Sequence, residues 1–376
     1  MTSDLITVVT ATLGDSYKHL GRQLDELRRF TRLPFAQIVS DDGSSDPNDQ
    51  MRQWDVCNQF GATWCENPGP TYGISYNLNH LCEQVKTPWA FVIEDAVRPS
   101  MGWLETAMDA LEKVGMHTWN GRKVGAIGMT TSFEAWHLAC AKVMPAELGL
   151  ADYFAKHSQD TYDIFYGSPD HPGDWNDGFW CWQRMHAKAL ETCQTPEGDT
   201  WPEIIRRTWR DPILRGEIGS MNWQKKQYDW GFQALSGWPT TRGVSWAFGP
   251  SAWCLVNLEA WRDAGRWRDG CTFYEGHLGV RMAQKGYLTV NCECPPWLHM
   301  SGLAFRIREH QKTPRHHEPP DGPEGILERD FGCNGNDHVD LAGLARRQFR
   351  DGELDDISRQ LQAVKLYADD GWRQYE

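Results

Sequence analysis

The chain has 376 residues, enough for a large core in one elaborated domain or two. Its 38 basic residues face 51 acidic ones, and the net −13 disfavours a broad, non-specific grip on nucleic acid or an anionic membrane. The 11 cysteines are odd in number and without paired CxxC blocks, which argues against a disulfide framework or a zinc ribbon.

Cys292 and Cys294 form a CxC, read as buried reduced thiols rather than metal ligands. The N-terminal residues lack a basic stretch and a long apolar run, so neither a signal peptide nor a membrane span is expected, and the protein reads as cytoplasmic. Tryptophan is abundant, at 20 residues. Indoles fill cores, and they also form flat faces on which sugar rings or bases stack.

In chain order, Leu5–Thr12 is β-branched and apolar and reads as a first strand. Leu20, Leu24 and Leu27 then recur at helical spacing within 17–31. Phe35–Ser40 is a second strand, and an Asp41-Asp42-Gly43-Ser44 turn leads to Asp46, an N-cap with Pro47 at the first helical position. Helix Pro47–Phe60, strand Ala62–Glu66, loop Asn67-Pro68-Gly69-Pro70 and helix Ile74–Val85 follow. The run Trp89–Ile93 reads as a buried strand that ends in two adjacent carboxylates, Glu94 and Asp95. Neighbouring carboxylates repel, and a bound divalent cation is one reason to place them together; a solvated acidic turn is the plainer one.

Further on, 101–114 reads as a helix and Val124–Met129 as a strand. From about 133 to 246 the pattern gives way to a stretch rich in Trp, Asp, Gly and Pro. It reads as an insertion that walls a cleft or covers a sheet edge; Asp174 and Asp177, near Trp175 and Trp180, are acceptor-binding candidates within it. Strand 247–256, helices 258–264 and 274–285, and strand Leu288–Cys292 restore regularity. A Pro-rich linker over 314–323, with His316 and His317 solvated, precedes helices at 341–349 and 357–367. The expected domains are 1–130, 131–246, 247–313 and 314–376. Strands alternating with helices predict an α/β fold with a mainly parallel sheet.

The ordered set FAQIVSDDGSSD, an Asn-x-Gly loop, and a strand closing on Glu94-Asp95 resembles the nucleotide-sugar half of family 2 glycosyltransferases, which have the type-A glycosyltransferase fold. FGPSAWCLVNLEAWRDAGRW followed by YEGHLGVRMAQKGY is similar to that family's acceptor side. The resemblance covers roughly 5–128 and 247–301. It implies a Rossmann-like sheet with flanking helices, an NDP-sugar donor (UDP by the family's habit) and a divalent metal, Mn2+ or Mg2+. Asp42, with Asp41 supporting the turn, would contact base or ribose, and Thr10 and Ala11 would flank the base. Asp95 would hold the metal with Glu94 beside it, touching ribose or a metal-bound water. His299 would add a metal or phosphate ligand, and Glu275 would take the proton of the acceptor hydroxyl. Arg281 would neutralise carboxylates around Glu275 or serve only the surface.

Two positions depart from the family pattern. Ala96 stands where Asp-x-Asp has its second carboxylate, and Tyr274-Glu275 replaces a Glu-Asp pair. The implied activity is an inverting transfer to a hydroxyl on a saccharide or another biomolecule. A degenerate, binding-only site and a glycosyltransferase acting on hydroxylated bases in DNA are the alternatives. A nucleotidyltransferase ranks low, because no glycine-rich phosphate loop follows the first strand.

Overall fold

The computed structural model describes residues 4–13, 17–44, 46–67, 73–95, 97–99, 102–129, 132–134, 243–244, 253–269, 274–292, 297–299, 330–331 and 341–366. Ala96, most of the Trp-rich stretch with Asp174 and Asp177, Cys294 and the Pro-rich linker with its two histidines lie outside them. The chain divides into two compact units. The first comprises 1–131, 225–295 and 305–376, and the second 132–224 and 296–304.

The first unit opens with β1 (Ile6–Thr12), α1 (Tyr17–Arg29), β2 (Ala36–Asp41), α2 (Pro47–Phe60) and β3 (Thr63–Cys65). Leu20, Leu24 and Leu27 of α1 are fully buried, each contributing about 1.5–3 kcal/mol. Leu20 and Leu24 pack with Val39, Cys57 and Ala62. Asp46 caps α2, its side chain accepting from the Asn48 N–H, and Gly61 ends that helix at φ 66°, which glycine adopts without strain.

Next come α3 (Ile74–Gln84), β4 (Trp89–Glu94), β5 (Val97–Arg98) and α4 (Trp103–Ala110), which ends in a π-helical turn over Leu111–Gly115. Strands β6 (Thr118–Trp119) and β7 (Arg122–Met129) form a hairpin. Asn120 and Gly121 join them at φ 50° and 80°, as a two-residue hairpin loop demands. The first unit is completed by β9 (Gly243–Val244), β10 (Trp253–Asn257), α5 (Leu258–Asp263), α6 (Tyr274–Gln284), β11 (Leu288–Cys292), α7 (Leu341–Arg346) and α8 (Glu353–Gln362). In the second unit β8 (Ser132–Glu134) pairs in parallel with β12 (Trp297–His299).

The central sheet runs β3-β2-β1-β4-β10-β7-β11-β9. Strands β3, β2, β1 and β4 are mutually parallel, β10 is antiparallel to both β4 and β7, and β11 is parallel to β7. The architecture is therefore mixed α/β with a mainly parallel sheet. Phe91, Trp103 and Trp253 form an aromatic cluster at its centre, with ring centroids 4.9–5.7 Å apart. Trp103 donates its indole N–H to the Leu27 carbonyl at 2.8 Å. With Trp261 also fully buried, many of the described tryptophans of this unit are core rather than ligand platforms.

From β1 the chain steps outward to β2 and β3 and then returns to place β4 on the other side of β1. The order reverses between β1 and β4. Open α/β sheets bind ligands outside the carboxyl ends of their strands at such a reversal.

Candidate active site

The carboxyl ends of β2, β1 and β4 lie in register there: Thr12 is opposite Asp41, and Ala11 is opposite both Ser40 and Glu94. The Asp42 N–H donates to the Thr12 carbonyl at 2.8 Å, carrying the ladder one residue past β2. Across the reversal, the Thr12 hydroxyl donates to Asp95 Oδ2 at 2.8 Å. Asp42 is buried, whereas Glu94 and Asp95 are half-buried.

Two neighbouring helices hold this edge in place. Gln23 of α1, fully buried, donates its amide to the carbonyls of Glu94 and Val97, the latter at 3.1 Å, and so straps the acidic turn. Asn77 of α3 donates to the Ser40 carbonyl at 3.0 Å. Asp41 turns its carboxylate into its own loop, accepting from the Ser44 N–H and hydroxyl, both at 2.5 Å. Burial pushes that carboxyl above its ordinary value, and the hydrogen bonds from Ser44, Gln53 and Gly43 oppose the shift.

Thr10 lies one pleat repeat deeper than Thr12, fully buried, its hydroxyl accepting from Gln37 at 3.1 Å. Gln37 accepts in turn from Arg28 at 3.1 Å. Of the β1 residues, the one that meets the acidic turn through its side chain is Thr12, which the sequence reading passed over.

Glu275 sits half-buried in the first turn of α6. Its link to the edge passes through Cys254, a buried residue of β10 paired with Val92. Burial foremost, then the negative fields of Glu275, Cys82 and Glu94, push the Cys254 thiol well above its usual range. The fields of Glu275 and Glu94 thus both reach one buried thiol.

The loop before α6 is bolted to α3. Asn79 donates to the Trp267 carbonyl (2.9 Å) and to Asp269 (3.2 Å), and accepts from the Trp267 N–H (3.1 Å). Arg266 pairs with Glu83 of the same helix. Arg281 donates to the Arg266 carbonyl, which ties α6 to that loop. Within α6, buried His277 bonds Asp330 at 2.9 Å, and Arg268 meets the same carboxylate at 3.1 Å. These amide and ion-pair ties come from helix residues whose polarity reads, in sequence, as solvent-facing.

Beside Asp41 a cavity of about 210 Å³ opens, lined by Met51, Trp54, Trp64, Glu66 and Asn67 among others. His299 lies on β12 in the second unit, opposite Glu134. Among the described residues, no three His, Cys, Asp or Glu side chains gather to hold an ion by themselves. Glu94 and Asp95 supply hard oxygen donors, and Mg2+-type sites commonly use one or two carboxylates with substrate phosphates and water completing the shell. The pair fits a divalent cation of that kind.

No protein-family model and no curated protein sequence matches the chain. Among solved structures it is similar to the mannosyltransferase PcManGT from Pyrobaculum calidifontis in complex with GDP-Man and Mn2+. The identity is 12% over 98% of this chain and 79% of that one, with a TM-score of 0.43. It is also similar to glucosyl-3-phosphoglycerate synthase from Mycobacterium tuberculosis in complex with Mn2+, UDP and glucosyl-3-phosphoglycerate, at 12% identity over 88% and 81% of the two chains, TM-score 0.40. What bears on function is the chain's own strand order and the acids on its edge. No helix among the described residues is long and apolar enough to cross a membrane.

Proposed function

We propose that the chain is a nucleotide-sugar-dependent glycosyltransferase of the type-A architecture, transferring a sugar to a hydroxyl of a saccharide or another biomolecule with inversion. One observation carries this reading: the Thr12–Asp95 hydrogen bond across the reversal between β1 and β4, which sets Glu94 and Asp95 on the same sheet edge as the β2 end that leads into Asp42, with β1 between them. A nucleoside diphosphate laid over these strand ends places its base and ribose by Asp42 and its phosphates by Asp95. Asp41 keeps the turn in shape, and Thr10 and Ala11 lie buried in the strand beneath the nucleotide.

Glu94 and Asp95 would hold a divalent cation, which supplies charge neutralisation for the departing diphosphate. Glu275, in the first turn of α6, takes the proton of the acceptor hydroxyl. That oxygen then attacks the anomeric carbon, the glycosidic bond forms, and the sugar–phosphate bond breaks with its electron pair leaving on the nucleoside diphosphate. A positioned carboxylate base contributes about 10²–10⁴-fold, and the amino end of α6 favours its ionised form.

The test is turnover of NDP-sugars with Mn2+, scored as donor hydrolysis and as transfer. Asp95→Ala should abolish both and weaken metal-dependent nucleotide binding. Glu275→Gln should abolish transfer yet keep nucleotide binding. Full activity in both variants overturns the assignment, and nucleotide binding without any turnover in the unaltered protein leaves a binding protein.

A further inference from the structure

The cavity beside Asp41 carries more than a general nucleotide reading. We infer that it is a guanine subsite, so that the donor is a guanosine diphosphate sugar; this rests on reading the acid edge as a nucleotide-sugar site.

Placement is the first support. Asp41 borders the cavity and is the register partner of Thr12, whose hydroxyl binds Asp95. Two strand spacings of about 4.8 Å separate the ends of β2 and β4. A base in the cavity and a diphosphate at Asp95 therefore lie at the two ends of one nucleotide.

The walls suit a large flat ring. Trp54 and Met51 are 49% and 57% exposed, two of the three exposed large apolar side chains among the described residues, and both face this cavity with Trp64. Base–aromatic stacking is worth about 1–3 kcal/mol per base but accepts any base, so the choice among bases falls to polar groups.

Asp41 is turned inward to Ser44, which leaves Glu66 as the other carboxylate on the cavity's lining. Glu66 is exposed, and its carboxylate makes no hydrogen bond or ion pair to a described residue. Its backbone carbonyl is held by His80 Nε2 at 3.0 Å. An ionised carboxylate is acceptor-only, with two oxygens side by side. Guanine alone among the common bases offers a matching edge, its ring N1–H next to its 2-amino group. Uracil presents one N–H between two carbonyl oxygens. Adenine and cytosine set a ring-nitrogen lone pair beside their amino groups. Asn67, next in the chain and on the same lining, brings an amide of the type that donates to guanine O6. The uridine donor expected from family habit faces repulsion at Glu66.

Calorimetric titration of the full chain with GDP, UDP, ADP and CDP at saturating Mn2+ tests this. A bidentate carboxylate–guanine pair predicts GDP binding about ten-fold or more tighter than the others. Glu66→Gln should cut GDP affinity by that factor, raise UDP affinity by relieving the repulsion, and leave the melting temperature unaltered, as befits an exposed side chain. UDP, ADP or CDP binding as tightly as GDP overturns the guanine assignment, and a GDP preference that survives Glu66→Gln overturns the subsite built on Glu66, while metal-dependent binding itself keeps the nucleotide-sugar reading. Absence of binding by all four overturns both.

Discussion

A single hydroxyl joins the two sides of the proposed donor site. Thr12 aims Asp95 by donating to one carboxylate oxygen, and groups in this orienting position typically set metal affinity or activity by about 10–100-fold. Thr12→Val keeps the shape of the buried side chain and removes the donor. The expected outcome is at least a ten-fold weaker Mn2+ dependence in donor hydrolysis with an unchanged fold, while Thr12→Ser restores the affinity. A metal titration of the two variants checks it; equal Mn2+ affinity in Thr12→Val and the unaltered protein refutes the orienting role. Strand parity shows why Thr12 did not stand apart from Thr10 in the sequence. Side chains two apart share a face, so Thr10 and Thr12 look alike in sequence, and the depth of the strand in the sheet decides which one reaches the edge.

Among the elements, β7 shows how closely helices must approach the sheet beneath this site. A Cβ placed on Gly125 would lie 2.9 Å from Met282 Sδ, 3.1 Å from Tyr287 Cβ and 3.2 Å from Ala260 Cβ. Two of those neighbours are anchored near their own backbone and cannot swing aside. Gly125→Ala should therefore cost about 1–3 kcal/mol through overpacking, read as a lower urea midpoint at unchanged slope; a neutral result would mean that α5 and α6 pack more loosely than their positions indicate. The order of β1, α1, β2, α2, α3 and β4 was legible because each carries a strong local mark: the leucine spacing of α1, Asp46-Pro47 before α2, the apolar run into Glu94. The β6–β7 hairpin carried its own mark, Asn120-Gly121, yet the sequence reading began that strand only at Val124. Gln23 and Asn79 were not legible, since a polar residue on an amphipathic helix reads as exposed until a buried carbonyl appears opposite it.

For the molecule as a whole, the C-terminal stretch of the first unit makes stability respond to acid. Arg122 pairs with Glu353 at 2.7 Å, donates to the Gln348 carbonyl at 2.7 Å and lies 4.4 Å from the Phe349 ring centre. The hydrogen bond from Arg122 holds the Glu353 carboxyl below its ordinary value. Its stabilisation is present above the unfolded carboxylate range and is lost as pH falls through the depressed value. Burial foremost, with the positive field of Arg281, lowers His277 to about 4, against the pull of Asp330. A histidine kept neutral in the fold contributes fully above its unfolded value of about 6.5 and progressively less as pH falls toward about 4, an upper bound of roughly 3 kcal/mol. Urea unfolding at stepped pH should show stability declining through that window. His277→Gln, which keeps an N–H for Asp330, should flatten the decline between pH 6.5 and about 4; an unaltered slope would remove His277 as its cause.

Strands β7 and β10 are neighbours, with Gly128 opposite Cys254, so the chain departs after Met129 and re-enters at Trp253 on adjoining rungs of one ladder. A long excursion that leaves and returns through the same doorway adds little to closure entropy, which grows only with the logarithm of loop length. Within that excursion Gly243–Val244 returns to the sheet beside β11, so changes of length that keep this rung in place leave the strand order as it is.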